Sequence, residues 1–255
     1  MKKYKLTNES IIIDGRKLYR IEALKDFSDV EKGERGGFIE SEDNLSHLDN
    51  CWVGGNAKVY GNAKVHGDAK VYGNAKVYGD SVVCGNAVVY GNAVVLGNTR
   101  VYDNTEVFDN AMVYDNAVVF DNALVYDNAK VFGSAVISKR AQVHGFAQVF
   151  GVSTISDMAK VKSNAKVWGN AIICGKAEIY GNAEISNNSD YIVFKNWWSS
   201  GRHFTWTRSN NMWRVGCFYG TGEELIAKAY KDSELSGREY ERVVKYVESI
   251  LKDSK

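Results

Sequence analysis

At 255 residues the chain is long enough for one large domain or two small ones, and its 45% hydrophobic and 25% charged content is ordinary for a soluble protein. Its 32 basic and 31 acidic residues leave a formal charge of +1, a balance that argues against a general nucleic-acid binder and against the dense anionic face of a DNA mimic. Cys51, Cys84, Cys174 and Cys217 show neither CxxC nor paired metal spacing, which reads as free thiols in a reducing compartment, and a chain with 24 glycines and no proline must turn on Gly, Asn and Asp. In chain order, MKKYKLTNES is basic but no apolar core follows it, and no apolar run approaches a membrane span. Neither a signal peptide nor a membrane segment is therefore expected, and the expected location is cytoplasmic. Residues 1–42 predict a β cap, with Ile11-Ile12-Ile13, Asp14-Gly15 and Leu18-Tyr19-Arg20-Ile21 as a hairpin signal and Gly36-Gly37-Phe38-Ile39 leading onward.

Residues 43–186 form one six-residue repeat, as in Gly55-Asn56-Ala57-Lys58-Val59-Tyr60 and Gly61-Asn62-Ala63-Lys64-Val65-His66. Every sixth residue from Val53 to Ile185 is Val or Ile, and 18 of the 22 small positions from Ala57 to Ala183 are Ala, the others being Ser81, Thr99, Thr105 and Ser153. Strand alternation puts Ala57 and Val59 on one side and Lys58 and Tyr60 on the other. The following Gly-Asn or Asp-Asn pair tolerates positive φ and makes a corner. One hexad buries too little to stand alone, so four-residue strands with two-residue corners are expected to stack into a mainly β solenoid, a parallel β-helix. Five Asp-Asn corners, at Asp103, Asp109, Asp115, Asp121 and Asp127, read as corner chemistry rather than as a metal site.

This stretch resembles the hexapeptide-repeat family, which implies a left-handed parallel β-helix of about eight triangular coils, three hexads to a coil. The family usually places Gly directly after the aliphatic residue; here an aromatic or His often stands there and Gly or Asp follows. With 18 residues per coil, outward ladders read Tyr60, Tyr78, Leu96, Tyr114, Phe132, Phe150, Trp168 and Tyr72, Tyr90, Phe108, Tyr126, His144, Lys162, Tyr180. Cys84 and Cys174 then lie five coils apart on one face and cannot pair. Val82, Val88, Val94, Met112, Val118 and Leu124 make the middle coils apolar at outward positions, so a homo-oligomer packed along prism faces is expected.

Residues 187–255 change composition. Tyr191–Trp198, His203–Arg208 and Met212–Phe218 read as strands, with Asn210-Asn211 as a turn, and Thr221-x-x-Glu224 and Ser236-x-x-Glu239 have capping-box form, giving β-β-β-α-α and a small α+β domain. Trp197, Trp198, Trp206 and Trp213 interleave with Arg202, His203, Arg208 and Arg214. Such a set either stacks on rings and pairs with phosphates or is a tryptophan core with a solvated basic face.

The ends, LYRIEALKDFSDVEKGERGGFIESEDNLS and SSGRHFTW…VGCFYGTGEEL, together with GNAKV-type hexads resemble hexapeptide-repeat proteins of bacteriophage and prophage genomes. That implies a viral or bacterial origin, a host-cytoplasmic location if phage-encoded, and no established reaction. Enzymes on the fold imply two alternatives. An acyltransferase would use His66 or His144 as base but lacks the family's protruding loop, and a carbonic anhydrase would need three zinc histidines from His47, His66, His144 and His203. No metal and no cofactor are expected. The leading expectation is a non-catalytic oligomeric binding or scaffold protein that sequesters a small nucleotide ligand or blocks a host protein. A degenerate acyltransferase and a structural virion component are the alternatives.

Overall fold

A computed structural model describes residues 2–253. The six-residue period folds as a mainly β solenoid of about eight turns with parallel sheets. The first hexad, 43–48, opens in a 3-10 turn at Glu42–Asn44; each later hexad contributes a two-residue strand such as Lys58–Val59, and each strand before the last coil pairs in parallel with the one 18 residues on: Lys58 with Lys76, Val59 with Val77. Pairing is shorter than the four residues expected because the chain bends immediately around each aliphatic residue. The coils stay bonded beyond the strands, with Asn56 N–H donating to Gly73 C=O at 2.8 Å and Tyr60 N–H to Val77 C=O at 3.1 Å. Ala57, Val59, Ala75, Val77 and their equivalents are fully buried in one core running the length of the solenoid.

The corners follow from residue chemistry. The first corner residue takes positive φ whether it is Gly or Asp; Asp103, Asp109, Asp115, Asp121 and Asp127 have φ between 57° and 62°. Each of these carboxylates accepts the amide N–H of the residue 18 positions later, as Asp121 does from Lys139 at 3.0 Å and Asp127 from Gly145 at 3.0 Å. The second corner residue builds amide ladders such as Asn74 to Asn92 to Asn110. Outside, aromatic rings stack coil on coil, with Tyr90, Phe108 and Tyr126 at 4.9 Å centroid spacing.

The N-terminal end is closed by the strands Tyr4–Ile13 and Arg16–Ala23, turned at Asp14 (φ 51°) and Gly15 (φ 76°), and by the strand Arg35–Ile39. That third strand pairs antiparallel with the second and parallel with Lys58–Val59, so the cap continues one solenoid face. Gly36 and Gly37 permit this approach, since a Cβ on either would come within 2.5 Å of a backbone carbonyl of the first coil. Carbonyls at this end find side-chain donors: Asn44 Nδ2 bonds Gly61 and Ala63 at 2.9 Å each, and the buried Lys3 ammonium bonds Cys51 at 2.8 Å.

At the other end the strands Tyr191–Lys195, His203–Thr207, Met212–Val215 and Phe218–Gly220 form an antiparallel sheet in sequence order, followed by helices α1 (Gly222–Asp232) and α2 (Glu234–Asp253). Phe204, Trp206 and Trp213 pack with Leu225, Tyr240 and Val244 of the helices. The opposite sheet face covers the last coil. There Thr205 Oγ1 accepts from Glu178 N–H at 2.9 Å, Ser209 Oγ from Glu184 N–H at 2.7 Å and Asn188 Oδ1 from Ile172 N–H at 2.7 Å. Each of the three solenoid faces thus ends on a side-chain acceptor, which closes edges that would otherwise template pairing. Two details differ from expectation. The third strand breaks at Gly216 (φ 55°), so residues 212–218 supply parts of two strands. The second helix opens at Glu234 rather than at Ser236, because Ser233 Oγ accepts the Ser236 N–H at 3.1 Å.

Candidate functional site

Strand alternation divides the tryptophan and arginine residues between different environments. Trp206 and Trp213 are cross-strand partners, each 1% exposed, in the core beneath the helices. Arg214 points the other way, with Nε on Glu178 Oε2 at 3.1 Å and its guanidinium over the Tyr180 ring at 4.6 Å, so it joins the module to the solenoid. The eight residues expected to form one ligand surface are therefore not brought together, and Trp206, Trp213 and Arg214 serve as core and junction. Trp198 is half-buried against Tyr240, His203 is half-buried, and Trp197, Arg202 and Arg208 are exposed.

Arg202 is held at a cavity. Asn196, 3% exposed, closes the loop before it: its N–H donates to Arg202 C=O at 2.8 Å, its Oδ1 accepts Ser199 N–H at 2.9 Å, and its Nδ2 donates to Tyr240 Oη at 3.1 Å. Between this loop, the sheet and α1 lies a cavity of about 360 Å³. Val215, Phe218, Leu225, Ala229 and Tyr240 give it apolar walls, and Ser199, Ser200 and Ser236 add hydroxyls. Arg202 and Lys228 supply positive charge, Asp232 lies on the same wall as Lys228, and the Cys217 thiol is exposed. Among the described residues neither Arg202 nor Lys228 has a carboxylate partner or donates a side-chain hydrogen bond. Burial pushes the Tyr240 phenol above its ordinary pKa, while the Asn196 hydrogen bond and the Arg202 charge pull it back. The arrangement suits a ring-bearing small anion: flat apolar walls, hydroxyl partners and two unspent cations. Sequence reasoning found Arg202 but missed Lys228, which sits on α1 beside the buried Leu225 and Ala229 and outside the Trp/Arg stretch.

The solenoid offers different chemistry. Val82 and Val118 lie on one face, Val88 and Leu124 on a second, and Val94 and Met112 on the third. All six are half-buried, and Arg100 separates Val82 from Val118 as Glu106 separates Val88 from Leu124. The apolar residues thus ring the prism rather than forming one band. On the first of these faces Val118, Val136, Thr154 and Ile172 follow one another coil on coil. His144 stacks on Tyr126 at 4.6 Å with Nδ1 3.5 Å from Asp127 Oδ2; burial and then Lys162 hold its pKa below the ordinary value. His66 is exposed on another face, and His47 stacks on Tyr4 in the N-terminal cap. Among the described residues no group of three or more His, Cys, Asp or Glu is arranged to hold a metal, and all four cysteines are free.

Residues 69–85 and 83–97 match the family model of the YdcK beta solenoid repeat. With the solenoid itself, this similarity supports a β-helix repeat protein. No curated protein matches the chain. Among the described residues no helix is long and apolar enough to cross a membrane.

Proposed function

We propose that the protein is a non-catalytic binding protein, a rigid capped solenoid whose C-terminal module holds a small organic anion of nucleotide type. The observation that carries this reading is the cavity of about 360 Å³ flanked by Arg202 and Lys228. Ligand sites are commonly mostly apolar concavities of at least about 300 Å³ with a few placed polar groups. Sequestration of a nucleotide signal fits a site with cations and hydroxyls and no nucleophile paired with a base. The sequence resemblances extend the reading to a phage-encoded protein with left-handed hexapeptide coils, acting in a host cytoplasm. A homo-oligomer belongs to it as well, supported by the Val118, Val136, Thr154 and Ile172 ladder.

A thermal-shift screen against mononucleotides, cyclic dinucleotides, ADP-ribose derivatives, acyl-CoA and neutral sugars tests the reading. One nucleotide class should raise the melting midpoint, and Arg202→Ala with Lys228→Ala should abolish the rise. A shift with acyl-CoA that is lost in His144→Ala would favour the acyltransferase alternative instead. Silence across the panel would favour the structural one.

A further inference from the structure

Arg202 and Gly216 line a second cavity as well as the first. This neighbour, of about 310 Å³, is walled on its far side by Lys176 and Glu178 of the last coil and by His203. Gly216 lies where a Cβ would stand 3.1 Å from Arg202 Nη1, so the bare backbone leaves the guanidinium room between the two cavities. Lys228 of α1, Arg202 of the loop and Lys176 of the solenoid corner therefore border a path through two neighbouring cavities that share Arg202 and Gly216 in their walls. Glu178 does not neutralise it, because its carboxylate is engaged by Lys162 at 3.0 Å and Arg214 at 3.1 Å. The field at this end is positive: after burial, Lys176 and Lys195 are what hold the His203 imidazole below its ordinary pKa. Asp232 stands at the module end beside the apolar walls, where it disfavours an anion and accepts from a hydroxyl or amino group.

We infer that the anion site runs across the junction between the module and the solenoid, and that its ligand is of the nucleoside diphosphate class, with base and sugar against the apolar walls of the module cavity, the first phosphate between Arg202 and Lys228 and the second on Lys176. This inference rests on the proposed binding function and adds the second phosphate and the second wall. The two ends of the path differ in kind, apolar with an acid at one and cationic at the other, which orients the ligand. Because Lys176 belongs to the last coil and Arg202 to the module, an occupant bridges the two.

Calorimetric titration of the full chain with adenosine, AMP and ADP tests this. ADP should bind about tenfold more tightly than AMP, the gain expected from one further charge-assisted contact, and adenosine more weakly than either. Lys176 is exposed, so Lys176→Ala and Lys176→Gln leave the fold intact. Either should abolish the preference for ADP while leaving AMP affinity within about twofold, whereas Arg202→Ala should weaken both nucleotides. AMP binding with no preference for ADP, or a preference that survives both Lys176 variants, would overturn the inference and leave the module site standing. Absence of binding by AMP and ADP alike would overturn it, and silence of the wider panel would then overturn the proposed function too.

Discussion

Thr99 and Thr105 show how closely a single inward position is specified. Both occupy the place of Ala in the repeat, both are fully buried, and among the described residues neither hydroxyl has a hydrogen-bond partner. Ser81 and Ser153 at equivalent positions instead donate to Tyr78 and Phe150 carbonyls at 3.0 and 2.8 Å. A buried unsatisfied hydroxyl costs about 1–3 kcal/mol. Thr99→Val and Thr105→Val keep the volume and remove the hydroxyl, so each should raise unfolding free energy by about 1 kcal/mol in denaturant titration; a loss would mean that the hydroxyl has a partner after all. Gly36→Ala should do the reverse, losing about 1–3 kcal/mol or more, because its Cβ meets Val53 O at 2.5 Å. The repeat made the inward residues legible, since a period of six with alternation leaves one arrangement for Ala57 and Val59. It did not reveal Gly36, whose reason is a strand from elsewhere in the chain.

The elements at the ends were legible in outline and not in detail. Asp14-Gly15 and Thr221-x-x-Glu224 act locally, and both appear as read: Thr221 Oγ1 accepts Glu224 N–H at 3.2 Å, and Glu224 Oε2 accepts Thr221 N–H at 2.8 Å. The Trp/Arg set was not legible, because composition does not say which sheet face meets helices and which meets the solenoid. That partition makes Glu178 the joint between module and coil. Burial pushes its carboxyl up, but Lys162 and Arg214 outweigh this and hold it below its ordinary value. Its stabilisation is therefore present above the unfolded pKa of about 4.3 and is lost as pH falls through the lower folded value. Protection of the amides of the 191–220 sheet, with their intrinsic exchange rates divided out, should fall on acidification below about pH 4, and Glu178→Gln should flatten that dependence. An unchanged profile in Glu178→Gln would assign the acid sensitivity to other carboxylates. Thr205→Val, which strips the acceptor from Glu178 N–H, should cost about 1–3 kcal/mol in the same module.

At the scale of the whole molecule, stacked coils and two caps give a rod whose interior is used up by packing, so chemistry is left to surfaces and to the module. Light scattering should return a multiple of the 28.4 kDa chain mass, and Val136→Lys, within the Val118, Val136, Thr154 and Ile172 ladder, should reduce it; a monomer before substitution would rule out self-association. The anion site is the central claim. Its most direct measurement is equilibrium binding of the nucleotide that scores highest in the screen, to the unaltered chain and to the Arg202→Ala, Lys228→Ala double variant. The double variant should lose at least about thirtyfold in affinity, from two charge-assisted contacts, with an unchanged melting midpoint in the absence of ligand. Equal affinity in the two proteins would place the ligand elsewhere and contradict an anion site at Arg202 and Lys228.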